Sequence, residues 1–333
     1  MTTVFVSGAT GFIAIHIVKV LLDKNYTVIG SVRSAEKGDA LAKQLGSSRF
    51  SYEVVPDIAK EGAFDDALQN HPEIKVFLHT ASPFHFKATD VEEELLKPAV
   101  GGTTNALKAI TKYGGQIENV VITSSYAAVS TSTKEKNPAH TNNEESWNEI
   151  TWDEALVDSF AGYRGSKKFA EKAAWDYVKE NKVNFKINYI NPSFVFGPQA
   201  FPVSNNELNT SSEVINSFLK LSSPNDPIPS TAGGFVDVRD VAKAHLVAFE
   251  HNLQNQRLIL NAGRFNSQTI LDVLHENFPE LDSKLPVGTP GSDKEELKQY
   301  ATIDNSKTKQ ILGFPLIGIK ETVVDSVKQI LNN

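Results

Sequence analysis

The stretch Val4-Phe5-Val6-Ser7-Gly8-Ala9-Thr10-Gly11-Phe12-Ile13-Ala14 decides the fold. Val4–Val6 is a short β-prone run that stops at Gly8, and from Phe12 to Leu22 apolar residues recur at helical spacing (Ile13, Ile17, Val20, Leu21). Gly8 permits a tight turn. Gly11 lets the backbone approach a pyrophosphate held by free N–H groups at a helix N-terminus. Ala14 takes the third small-residue position, where helix and strand pack closely. An ordinary βα turn can carry the same spacing, but its place between the first strand and first helix of a βαβ unit favours a dinucleotide site over Gly8, Ala9, Thr10, Gly11, Phe12 and Ile13.

Outward from this turn the alternation continues. Tyr26–Ser31, Ser51–Val55, Val76–His79 and Val120–Thr123 read as strands, with helical patterns at Ala35–Leu45, Ala63–Leu68 and Val91–Tyr113 between them. The strands are continuously apolar, as expected when helices cover both faces of a parallel sheet. The fold class is therefore α/β, a Rossmann-type doubly wound parallel sheet. Thr131–Thr151 reads as a long polar loop, followed by a helix from near Gly162 and a strand at Phe185–Asn191. Prolines 192, 198, 202, 224, 227 and 229 then break up regular structure around a helix at Ser212–Leu221. Returning strands at Phe235–Val236 and Arg257–Leu260 flank a helix at Val238–Glu250; Ile270–Asn277 and Ile319–Leu331 are outer helices. Residues 1–191 with 235–260 are expected to form the nucleotide-binding core, and 192–234 with 261–333 a smaller, interleaved substrate lobe.

Composition narrows the chemistry. The 333 residues carry 33 Lys and Arg against 40 Asp and Glu, a net charge of −7, which disfavours nucleic-acid backbones as partners. The chain has no cysteine, which excludes disulfides, thiolate metal sites and cysteine nucleophiles. His79/His85 and His245/His251 lack zinc-motif spacing, so no metal is expected. Residues 1–20 read as strand, turn and helix and not as a signal peptide, and there is no apolar run of ~18 residues for a membrane span. The expected setting is cytoplasmic.

The second strand ends Ile29-Gly30-Ser31-Val32-Arg33-Ser34, without the acidic residue that binds adenosine ribose hydroxyls in NAD enzymes. Arg33 and, one turn on, Lys37 offer two cations to a 2′-phosphate, so NADPH is the expected cofactor. Asp57-Ile58 offers a carboxylate and an apolar contact to an adenine, although Asp57 equally suits a helix cap. Tyr163 and Lys167 lie four apart on one helix face, where an ammonium favours phenolate and lowers the tyrosine pKa. Thr123-Ser124-Ser125 ends a strand at the sheet edge where ligands of such folds bind, and a serine hydroxyl there can stabilise a carbonyl oxygen. Phe84 and Tyr126 flank the edge as candidate pocket walls.

Together these features resemble the extended short-chain dehydrogenase/reductase family, in its dihydroflavonol-reductase-like branch. The likeness runs nearly the whole length: VFVSGATGFIA (4–14), SVRSAEK (31–37), EVVPDI (53–58), LHTASPF (78–84), VVITSSYAAV (120–129), YRGSKKFAEKAAW (163–175), NPSFVFGPQ (191–199) and FVDVRDVAKAHLVAF (235–249). The resemblance implies NADPH-dependent reduction of aldehydes and ketones such as methylglyoxal, 3-methylbutanal and diketones. It implies Tyr163 as general acid, Lys167 as the cation that lowers its pKa and binds the nicotinamide ribose, and Ser125 as holder of the substrate oxygen. It also places Arg33, Lys37, Asp57, Ile58, Thr80, Ala81, Ser82, Pro192, Val195 and Ser211 on cofactor positions. One departure stands out: Ala99 replaces an Asn that many extended members carry, and Asn105 is no evident substitute for it. Two rivals stand beside this reading, an NAD-dependent sugar-nucleotide epimerase or dehydratase of the same fold and, from a different class, a non-catalytic NADP(H)-sensing regulator. The cations after the second strand oppose the first, and the retained Tyr–Lys–Ser set opposes the second. A monomer or homodimer acting on a small carbonyl substrate is expected.

Overall fold

In chain order the computed structural model contains β1 (Thr3–Ser7), α1 (Phe12–Asp23), β2 (Thr27–Val32), α2 (Ala35–Leu45), β3 (Phe50–Val54), α3 (Asp65–Asn70), β4 (Ile74–His79), α4 (Lys97–Tyr113) and β5 (Asn119–Thr123). There follow β6 (Thr141–Asn142), α5 (Trp152–Ala155), α6 (Ser159–Glu180), β7 (Lys186–Pro192), β8 (Phe194–Phe196) and α7 (Thr210–Leu219). The chain closes with β9 (Ala232–Asp237), α8 (Val238–Glu250), β10 (Gln256–Leu260), β11 (Gly263–Asn266), α9 (Ser267–Asn277), α10 (Asp293–Glu296), β12 (Thr302–Ile303), α11 (Ser306–Leu312) and α12 (Ile319–Leu331). The structure describes residues 2–82 and 88–332, so Phe84 lies outside the described residues.

The chain divides into two units. The first (1–131, 144–191 and 242–258) holds nearly all of a seven-stranded sheet ordered β10-β7-β5-β4-β1-β2-β3. From β7 across to β3 every pairing is parallel. All five residues of β1 are buried, because helices cover both faces. Phe5, Ile29, Phe64, Phe77, Ile187 and Tyr189 belong to one apolar cluster of this unit. Chain order reverses between β1 and β4, the switch point at which such sheets open a crevice beyond their carboxyl ends.

The second unit (132–143, 192–241 and 259–333) contains a three-stranded sheet, β11-β9-β8, and the short parallel pair β12-β6. Its own core is built on Phe196, Phe218, Phe235, Phe265, Leu274 and Val327. The unit boundaries differ from the sequence reading at three places, one of them residues 259–260, which end β10 and fall in the second unit. Residues 235–241 belong to the second unit, because β9 pairs with β8 and β11 in its sheet. Residues 132–143, read as plain loop, carry β6, which pairs with β12. Among the described residues no helix is long and apolar enough to cross a membrane.

Candidate active site

At the end of β1, Gly8 has φ +66°, and a side chain there would bring its Cβ 3.0 Å from that of Ala81. The turn is pinned from β2: the Gly8 amide donates to Ser31 Oγ (3.0 Å) and the Ala9 amide to the Ser31 carbonyl (2.9 Å). Gly30 leaves room for this, since a Cβ there would come within 2.6 Å of Ala9 Cβ. Gly11 then caps α1 without any side-chain acceptor, and the first turn of the helix, which opens with Phe12 and Ile13, carries no acid. Its leading amides are therefore turned to whatever anion enters. Thr10 beside them is exposed.

Ser7, fully buried, organises the floor of this turn. Its hydroxyl oxygen accepts the amides of Thr80 and Ala81, each at 3.0 Å, and lies 3.0 Å from His79 Nδ1. The Thr80 hydroxyl returns a hydrogen bond to the Ser7 carbonyl. Ser82 follows at the edge of the described segment.

Arg33 and Lys37 are exposed beyond β2, and neither side chain has an ion pair or hydrogen bond to described residues. Asp57 accepts the Ala59 amide at 2.8 Å, so it serves a turn while its other oxygen remains outside that bond. Ile58 packs where a Cβ on Gly102 of α4 would stand, 2.7 Å from its Cδ1. Asn105, in α4, donates to the carbonyls of Ile58, Ala59 and Lys60 at 3.1, 3.0 and 2.9 Å. It is a staple for the 58–60 loop, and Ala99 is simply buried. An uncapped helix start, a glycine cradle that a Cβ would fill and two unpaired cations fit a phosphorylated dinucleotide.

The helix bearing Tyr163 and Lys167 begins earlier than its sequence pattern suggests. Asp158 caps α6 by accepting the Ala161 amide at 2.7 Å. Gly162 and Gly165 bring the helix down on its neighbours: a Cβ at either would lie 2.4 Å from Val91 Cγ1 or Ala155 Cβ respectively. This seats Tyr163 with its hydroxyl 3.2 Å from Ser125 Oγ. Ser125 is buried and also accepts the Ala127 amide at 3.1 Å. With two hydrogen bonds accepted, its own proton is free to be donated to a third oxygen. Tyr126, next in the chain, is half-buried and opens a short 3₁₀ turn.

Lys167 Nζ stands 6.0 Å from the centre of the Tyr163 ring. Surrounding protein pulls the Lys167 ammonium down to about 8. The expected downward shift of Tyr163 is corrected: burial pushes its phenol up, and the Ser125 hydrogen bond and the Arg164 charge only partly oppose this. Loss of solvent around the phenolate outweighs the Ser125 hydrogen bond and the Arg164 charge.

Behind Ser125 lies a group that no motif announced. Glu171, two helical turns beyond Tyr163, is fully buried and paired with Arg257 Nε at 2.6 Å. Its other oxygen accepts from the Ser124 hydroxyl and from Asn191 Nδ2 (2.7 Å). Breaking one side of such a buried pair costs about 3–5 kcal/mol. In the sequence Glu171 stands within YRGSKKFAEKAAW (163–175), eight residues beyond Tyr163, where spacing does not reveal its partners.

Pro192, Val195 and Ser211 belong to the second unit. Pro192 ends β7, Val195 is buried in β8, and Ser211 sits half-buried in the first turn of α7.

A parallel switch-point sheet, a glycine turn and a Ser–Tyr–Lys set define an extended short-chain dehydrogenase/reductase. Residues 4–263 match the NAD dependent epimerase/dehydratase family, and the chain belongs to it. Its similarities extend to particular members. It is 52% identical to the NADPH-dependent methylglyoxal reductase GRE2 of Saccharomyces cerevisiae, over 99% of this chain and 98% of that one. The crystal structure of Gre2 from Candida albicans in complex with NADPH superposes with a TM-score of 0.97 at 56% identity, covering 100% and 99% of the two chains. The ketoreductase azaE of Aspergillus niger is 39% identical over 98% of this chain and 97% of its own.

Proposed function

We propose that the protein reduces small aldehydes and ketones to alcohols with NADPH. The observation that carries this reading is the Tyr163–Ser125 hydrogen bond of 3.2 Å, with Lys167 one turn further along the same helix. NADPH, when bound, supplies the hydride. Arg33 and Lys37 would hold its 2′-phosphate, and the amides opening α1 its pyrophosphate. Ser125 donates its free proton to the substrate carbonyl oxygen, which fixes the oxygen where charge develops. Tyr163, kept protonated by burial, delivers the proton that completes the alcohol. Lys167 stabilises the phenolate left behind and would hold the nicotinamide ribose when the cofactor is bound. Asp57, Ile58, Thr80, Ala81 and Ser82 would complete the cofactor contacts of the first unit, and Tyr126 would stand on the substrate side.

The substrates we propose are small aldehydes and ketones: methylglyoxal, 3-methylbutanal and diketones. The work is cytoplasmic, by a monomer or homodimer. An assay of NADPH oxidation over this panel, with NADH as control, tests the reading. Turnover with NADPH, and much less with NADH, is expected. Inertness toward every carbonyl would overturn it.

A further inference from the structure

We infer that Glu171 is a positioning residue for Ser125, a role that rests on the reductase reading above. Glu171 reaches the serine by two routes. One carboxylate oxygen accepts from the hydroxyl of Ser124, the residue before it, and from Asn191 Nδ2 at 2.7 Å. That same Asn191 amide group donates to the Ser125 carbonyl at 3.2 Å. The backbone on both sides of the Ser124–Ser125 peptide is thereby tied to α6, the helix that carries Tyr163. The Ser125 hydroxyl and the Tyr163 phenol thus share one rigid frame.

The other carboxylate oxygen takes Arg257 Nε at 2.6 Å. The guanidinium then donates to the carbonyls of Glu144 (3.1 Å), Ser146 and Ala128 (3.5 Å), and stacks 4.1 Å over Trp147. Asn148 closes the same turn by donating to the Ala127 carbonyl at 2.9 Å. The 3₁₀ turn after Ser125, whose Ala127 amide binds the serine hydroxyl, is held from its far side by the partner of Glu171. A buried carboxylate bonded to Ser124 directly, and to Asn191 and Arg257, which themselves bond the Ser125 and Ala128 carbonyls, is placed to hold the Ser125 hydroxyl in register with Tyr163.

The test separates positioning from charge burial on an Arg257→Met background, where no cation is left unpaired. Glu171→Gln there keeps an acceptor oxygen for Ser124 and Asn191, whereas Glu171→Leu removes it. With both proteins folded and NADPH affinity within about twofold of each other, kcat should fall at least about tenfold from the Gln to the Leu variant, with little change in KM, as misplacement of a catalytic group does. Equal kcat in the two variants would overturn the proposal. Should either double variant fail to fold, Asn191→Ala in the otherwise unaltered protein decides: a loss of about tenfold in kcat at unchanged NADPH affinity supports the role, and wild-type kcat refutes it. Failure of the reductase reading shows separately, as a wild-type protein inert toward all carbonyls, and removes the proposal with it.

Discussion

Ser7 and His79 are register partners on adjacent parallel strands, and their side chains meet at 3.0 Å where the sheet order reverses. The serine oxygen already accepts two amides, so its one proton goes to His79 Nδ1, which places the imidazole proton on Nε2. Burial, with the Lys167 charge adding to it, pulls His79 down to about 3, so the ring is neutral at any working pH. This pair fixes the floor on which the glycine turn rests. Ser7→Ala leaves the Thr80 and Ala81 amides and the imidazole without their shared partner. A loss of about 1–3 kcal/mol in urea unfolding is expected, with weaker NADPH binding. Wild-type stability would show that the pair holds nothing.

Among the described residues, Arg33 and Lys37 have no carboxylate partner to compete with a 2′-phosphate. Arg33→Ala should weaken NADPH by roughly tenfold or more, since a hydrogen bond to a charged group is worth about 1.5–3 kcal/mol, and leave NADH nearly unchanged. Titration of both cofactors checks this, and an equal loss for both would remove the phosphate role.

Lys167 carries a cost. Its pKa falls from 10.5 to about 8, so between those values the unfolded chain binds more protons than the folded one, and stability rises with pH across that window. Below it the cost of burying the charge is borne in full. Lys167→Met, which keeps the stem and removes the charge, should therefore raise the thermal midpoint at neutral pH while abolishing most turnover. A lowered midpoint would mean that the ammonium has stabilising partners.

His71 bridges Glu53 (2.8 Å) and Glu73 (3.0 Å). Burial opposes its charged form, but hydrogen bonds to Glu73 and Glu53 prevail and its pKa rises above 6.5. Its stabilisation is fully present below 6.5 and is lost as pH climbs through the folded value. Pairs this open contribute up to ~1 kcal/mol. His71→Gln should lower the urea midpoint on the acid side and match wild type well above it. An equal loss at both ends would assign the effect to packing instead.

What was legible in the sequence follows the range of the interactions. The Gly8–Gly11 turn, the cations after β2 and the four-residue Tyr163–Lys167 spacing are local, and continuous apolar runs announced a parallel sheet. The staple made by Asn105 spans 45–47 residues, and the Glu171–Arg257 pair spans 86. No periodicity encodes such pairings. The direction of the Tyr163 shift was misjudged because spacing reveals a neighbouring cation but not how much solvent is lost. The boundary at 234/235 cuts through β9, because two apolar residues in sequence, Phe235 and Val236, do not reveal which sheet receives them.

On the proposed reductase reading, the Tyr163 phenol gives the proton to a carbonyl held by Ser125. Its most direct test is the single-turnover rate of Tyr163→Phe loaded with NADPH and mixed with methylglyoxal. Loss of general-acid catalysis predicts a rate lower by roughly 10²–10⁴-fold, with NADPH affinity within about twofold of wild type. A folded, NADPH-loaded variant that turns over at the wild-type rate would contradict the account.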